Sequence, residues 1–145
     1  HSYAPCFIAF DKAPRKLVYE GADAGQRWAT LLISEETVPT CQISMGLLNL
    51  TNGEKLCTIP PHTHESRSEV YCYYDLPESD AIFHFLGPSQ ETKHIVTHNE
   101  QAVFAPGDLL HFAVGTASFS QVWSMGGENR NIYEDMIRTP INELR

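Results

Sequence analysis

The chain has 145 residues, 42% of them hydrophobic and 10% aromatic, with a formal net charge of -8 at pH 7. That length supports one domain with a substantial core, and the acidity excludes a phosphate-tracking surface, because between Trp28 and Glu128 the cations are Lys55, Arg67 and Lys93. No apolar run approaches membrane-spanning length, so neither nucleic acid nor a bilayer is an expected partner.

The sequence begins at His1, and no signal-peptide pattern opens it. Residues 1–39 mix short apolar stretches at 6–10 and 29–33 with a charged, glycine-bearing run at 19–27 and the acidic pair Glu35-Glu36. They read as an N-terminal arm or connecting segment, continuous with an upstream domain. From Thr40 the pattern becomes regular. Strands are expected over 41–50, 55–59, 69–76, 81–86, 92–97, 101–104, 109–114 and 118–125, separated by turns at Thr51-Asn52-Gly53, Gly87-Pro88-Ser89 and Pro106-Gly107. Asn52-Gly53 between two apolar runs is a hairpin signal. Many short strands at this spacing indicate an all-β antiparallel sandwich or barrel over 40–138, with one helical turn near the C-terminus and a tail over 139–145. The four cysteines, Cys6, Cys41, Cys57 and Cys72, include no Cys-x-x-Cys pair. A reducing cytoplasm and a fold independent of disulfides are therefore expected, and the sequon Asn49-Leu50-Thr51 should go unused.

Within this frame lies Pro60-Pro61-His62-Thr63-His64, followed by Glu69 and, after Pro106-Gly107, by His111. In an extended chain residues two apart share a face about 7 Å apart, so both imidazoles can converge on one ion. Glu69 enters the next strand on the same side, and His111 arrives on a short apolar strand. Taken singly each has a plainer reading: rim histidines beside a double proline, an acidic strand start, a buried core histidine. Together, three imidazoles and one carboxylate suit one divalent ion per chain, zinc first and other first-row metals next, with room for substrate. Tyr71 and Tyr73 share strand parity with Glu69, so they either line the same cavity or pack as core aromatics.

His62-x-His64-x4-Glu69 followed by Pro106-Gly107-x3-His111 resembles the metal pattern of cupins, double-stranded antiparallel jelly-roll barrels with a metal in the mouth. More closely, the segments 61–71, 83–85, 90–96, 99–103 and 123–129, with Asp135-Met136, resemble 5-keto-4-deoxyuronate isomerase, also called 4-deoxy-L-threo-5-hexosulose-uronate ketol-isomerase. Chains of that family are about twice as long, and this one resembles their C-terminal half. Ser66 stands before Arg67 where the family has adjacent arginines, Lys93 replaces an arginine, and residues 107–110 are less polar.

The resemblance implies a metal-dependent aldose–ketose isomerase acting on a small anionic sugar from pectin or glycosaminoglycan breakdown. Its product would be 3-deoxy-D-glycero-2,5-hexodiulosonate. It further implies a homo-oligomer, hexameric in the family. Arg67 is the first choice for the substrate carboxylate and Lys93 the second, with Tyr71 and Tyr73 able to contact hydroxyls. Glu91, His94 and a water on the ion are the candidates for moving the proton. Two alternatives stay open at this point: a cupin dioxygenase or oxidase, marked by oxygen uptake, and a non-catalytic sugar-binding cupin, marked by absence of turnover.

Overall fold

Strands form where inward apolar side chains alternate with outward polar ones, and here they build two antiparallel sheets. The structure, a computed structural model, describes residues 3–22, 24–51, 55–127 and 135–145. Its strands are β1 (Arg15–Gly21), β2 (Gly25–Ile33), β3 (Ile43–Leu50), β4 (His62–His64), β5 (Arg67–Tyr74), β6 (Ile82–Gly87), β7 (Lys93–Thr97), β8 (Ala102–Ala105), β9 (Leu110–Gly115), β10 (Phe119–Gly127) and β11 (Met136–Arg138). Short 3-10 turns lie at Phe10–Lys12 and Ile141–Glu143. The six-stranded sheet runs β1-β2-β3-β10-β5-β8 and the five-stranded sheet β11-β4-β9-β6-β7. The all-β, two-sheet architecture expected from the turn spacing is the one observed.

The core fills the space between the sheets with Leu48, Tyr71, Trp123 and Met125 from one side and Ile82, Leu110 and Ala113 from the other. Gly46 in β3 is required by this packing, since a Cβ there would lie 2.3 Å from the Trp123 indole. At the far end of β10, Gly127 has φ +142°, and a Cβ would meet the Ser66 carbonyl oxygen at 2.1 Å.

Three expectations differ from what is observed. Within residues 1–39, read as an arm, β1 and β2 extend the six-stranded sheet beside β3. They do so because Tyr19, Ala29 and Leu31 are buried, and because Arg27, itself buried, donates from Nε to the Cys57 carbonyl at 2.9 Å. Residues 55–59, expected as a strand, make only the isolated bridge Cys57↔Val114. Pro60 and Pro61 follow directly and lack the donors to continue a ladder. The two runs flanking Asn52-Gly53 do not pair with each other, since β3 pairs with β2 and β10; that turn itself lies outside the described residues, as do Glu128 and Asn129. The tail at 139–145 docks on the turn after β6, where Arg145 N–H donates to the Ser89 carbonyl and Thr92 N–H to that of Arg145, each at 2.8 Å.

Candidate metal centre

β4, β5 and β9 bring the four expected ligands together. His62 and His64 project from one face of β4, His62 sits opposite His111 in register, and Glu69 faces them from β5 across the sandwich. One ligand atom from each of the four lies within 4.8 Å of all the others. The turn before β9 fixes this arrangement. Asp108, at φ 69°, donates its N–H to the His64 carbonyl at 3.1 Å, and Gly107 N–H donates to Ser68 Oγ at 3.1 Å.

Each imidazole is locked through Nδ1. His62 donates to the Pro60 carbonyl at 2.8 Å, His111 to the Leu109 carbonyl at 2.9 Å, and His64 to Asp135 Oδ1 at 3.2 Å. With every Nδ1 committed as a donor, every Nε2 presents a lone pair to the common point, the outer-shell pattern that orients metal-binding histidines. Glu69 Oε2 lies 2.9 Å from His111 Nε2 and 3.6 Å from His64 Nε2. Three lone pairs and a carboxylate converging without protons between them is an arrangement that a divalent cation stabilises, so the donor set fits a metal on its own chemistry.

All four side chains are nearly sealed from solvent, His62 2%, His64 1%, Glu69 4% and His111 2% exposed. Burial is the largest influence on the ionisation of His62, His64 and Glu69. It lowers His62 to about 3, helped by the neighbouring His111, and it also lowers His64. Burial works to raise Glu69, but contact with His111 and with the other two imidazoles outweighs it and holds that carboxyl at about 2. Neutral His62 and His64 beside an ionised Glu69 are the states metal binding needs.

Beside the ligands is a narrow cavity lined by Leu48, Ile59, Tyr71, Gln121, Trp123 and Met136. Tyr71, on Glu69's side of β5 as its parity requires, donates its hydroxyl to Glu69 Oε2 at 2.7 Å. Tyr73 lies deeper, its hydroxyl 2.6 Å from Nδ1 of the fully buried His84. Burial raises the Tyr73 phenol well above its usual value and lowers His84 to about 4.

The structure places Arg67 in an internal ion pair. Its side chain is buried and its Nε donates to Asp135 Oδ2 at 3.1 Å while Nη2 donates to Oδ1. The fork that would grip a substrate carboxylate is thus closed by an internal one, and Arg67 is not among the residues lining the cavity. Lys93, Glu91 and His94 lie apart from the four ligands. They lie in the groove outside the five-stranded sheet, Lys93 3.7 Å from Glu91 on the surface and His94 packed near Phe83 and Phe85. Residues 93–96 of β7 are exposed, as is Glu91 before the strand.

Sequence reasoning passed over three residues: Asp135, Gln121 and His84. Gln121 was open to discovery, because it interrupts the inward series Phe119, Trp123 and Met125 of β10 with one amide. Asp135 and His84 fall in segments that resemble the isomerases, but their partners, 68 and 11 residues away, gave their roles no local signal.

No family model matches the chain. It is 42% identical over 138 residues, 95% of its length, to the curated 4-deoxy-L-threo-5-hexosulose-uronate ketol-isomerase of Dickeya dadantii, of which it covers 49%. The chain thus spans about half the length of the curated relatives it matches. Among solved structures it is similar to KdgF from Halomonas sp., with TM-score 0.61 and 17% identity over 86% of this chain and 96% of that one. It is also similar to oxalate decarboxylase from Bacillus subtilis, with TM-score 0.66 and 10% identity over 95% of this chain and 33% of that one. At such identities the likeness is one of fold, and the fold is the cupin barrel.

Proposed function

We propose that the chain carries the metal centre of an aldose–ketose isomerase that converts 5-keto-4-deoxyuronate to 3-deoxy-D-glycero-2,5-hexodiulosonate. The observation that supports it is the buried, tautomer-locked set His62, His64, Glu69 and His111 in a chain 42% identical over 95% of its length to a curated ketol-isomerase. The reaction is internally balanced: one hydrogen moves from C2 to C1 and one from O2 to O1, with no outside oxidant.

A bound divalent ion, zinc on this reading, supplies electrostatic stabilisation of the negative charge that develops on the two oxygens in the enediolate-like transition state. The protein's own groups do the rest. The four ligands would hold the ion in a pocket whose walls exclude bulk water. Tyr71, with its hydroxyl in the cavity and hydrogen-bonded to Glu69, is the group proposed to hold and pass the proton between the two carbons. For the substrate carboxylate, Arg138 is proposed. It sits opposite His62 in the β4–β11 register, two residues beyond Met136 of the cavity wall, with its guanidinium over the Tyr19 ring at 4.6 Å.

Self-association is part of the reading, supported by the exposed cross-strand pair Val70 and Phe104 on the outer face of β5 and β8. A reducing, cytoplasmic setting is supported by three exposed free thiols, Cys6, Cys41 and Cys72. The deciding experiment is metal analysis of the purified chain combined with an assay for conversion of the ketouronate aldehyde to its 2-ketone. A metal-loaded protein without turnover would refute the reading, and oxygen consumption in the same assay would replace it with oxidase chemistry.

A further inference from the structure

Gln121 is 1% exposed, lines the cavity beside His62, His64 and Glu69, and its Oε1 is buried with no hydrogen-bond partner among the described residues. In β10 it stands opposite Tyr73 of β5 and Leu48 of β3, one inward step from Trp123, which faces Tyr71. The cavity wall therefore grades from the metal ligands through Tyr71 and Trp123 to a single amide. The neighbouring inward positions of β10, at Phe119, Trp123 and Met125, carry large core side chains. A buried acceptor without a partner costs the free protein stability, and an apolar side chain of the same size would remove that cost. Such a group persists where a ligand supplies the missing partner.

We infer that Gln121 is a substrate-positioning residue whose amide reads a chain hydroxyl of a polyhydroxy acid seated at the metal. It accepts the hydroxyl hydrogen at Oε1 and so fixes which carbons lie against the ligands. The identity of that acid as 5-keto-4-deoxyuronate rests on the isomerase reading; the polar recognition does not. A site built to hydrogen-bond a hydroxyl discriminates against ligands lacking it, because the amide is then left unpaired.

The test uses the zinc-loaded full chain, wild type against Gln121→Met and Gln121→Leu, with gluconate as a non-isomerising polyhydroxy acid and hexanoate as its counterpart without hydroxyls. Zinc content should be unchanged in both variants. Melting temperature should rise by roughly 2 to 6 °C, because an unpaired buried polar group is gone. Gluconate affinity by calorimetry should fall about tenfold or more while hexanoate affinity is unaltered. A fall in melting temperature or loss of folding in both variants would assign Gln121 a structural role and overturn the inference, as would equal losses for the two ligands or wild-type protein that ignores gluconate. Failure of the isomerase reading has a different signature: wild-type protein that binds gluconate with the Gln121-dependent preference yet leaves the ketouronate unconverted.

Discussion

Arg67 closes its guanidinium on Asp135, and the same carboxylate accepts the Nδ1 hydrogen of His64 at 3.2 Å, so the arginine acts on the metal centre through an intermediary. The Arg67 pairing lowers the Asp135 carboxyl against the burial that would raise it, and keeps it ionised opposite His64. The arrangement is a carboxylate–histidine–metal chain with a cation behind it.

Removing either member should loosen His64. Arg67→Ala and Asp135→Asn are expected to weaken metal retention by about 10- to 100-fold, read by titrating a chelator against the loaded protein. Arg67→Ala should also cost about 3 kcal/mol in denaturant unfolding, because a largely buried carboxylate loses its partner. A variant that keeps metal and stability but loses only uronate binding would return Arg67 to the substrate.

Direct ligands should behave more severely. His62→Ala and His111→Ala are each expected to retain almost no metal after dialysis, and Glu69→Gln to retain far less than wild type, since a neutral amide replaces the one anionic ligand. Full wild-type occupancy in both histidine variants would dissolve the assignment.

How much of this could be read in advance depended on the range over which each constraint acts. The strand positions after Thr40 and the four ligands were legible because turn chemistry and period-2 spacing are local: His62 and His64 share a face by parity, and Glu69, Tyr71 and Tyr73 share another. Residues 15–33 were misjudged because their apolar stretches are short and their burial depends on β3, a neighbour the local pattern does not reveal. Arg67 was assigned to the substrate because the sequence shows a cation between two ligands and hides Asp135, 68 residues on. Glu91 and His94 sit in a segment that resembles the isomerases, yet both line the groove outside the five-stranded sheet. Resemblance located the motif; only sheet pairing showed which side of the barrel it faces.

Acid should unfold the metal-free protein through the same buried groups. His62 and His84 have folded values of about 3 and about 4 against an ordinary 6.5, because burial disfavours their charged forms. A depressed folded value means the unfolded chain binds more protons, so stability is fully present above pH 6.5 and is lost as pH falls toward those values. Glu69, at about 2 against 4.5, adds loss of the same sign lower down. Melting temperature should be level from pH 7 to 8 and drop steadily below 6.5. In His84→Gln the portion of that slope between pH 6.5 and 4 should flatten, and an unchanged slope would place the titration elsewhere.

Self-association makes a surface prediction. Phe104 is 59% and Val70 41% exposed, and they are direct cross-strand partners on the outer face of the six-stranded sheet. Phe104→Glu should shift sedimentation toward the monomer while metal content is preserved, whereas a wild-type monomer at micromolar concentration would remove oligomerisation from the reading.

The remaining prediction concerns the acid end of the substrate. With Arg67 occupied by Asp135 and Lys93 outside the barrel, no lysine or arginine among the described residues lines the metal cavity itself. A six-carbon uronate whose C1 and C2 lie at the ligands must extend its carboxylate toward the rim. Arg138 stands there in register with His62, so its side chain leaves β11 on the ligand side, and it is exposed with its guanidinium resting on Tyr19. A charge-assisted contact at a partly solvated rim is worth about 1.5 kcal/mol or more, so Arg138→Ala should raise KM for the uronate about tenfold while kcat and metal content change little. The matched measurement uses a neutral aldose, whose slower turnover should be insensitive to the substitution. If the two substrates lose the same factor, Arg138 supports β11 by packing on Tyr19 and has no part in recognising the carboxylate.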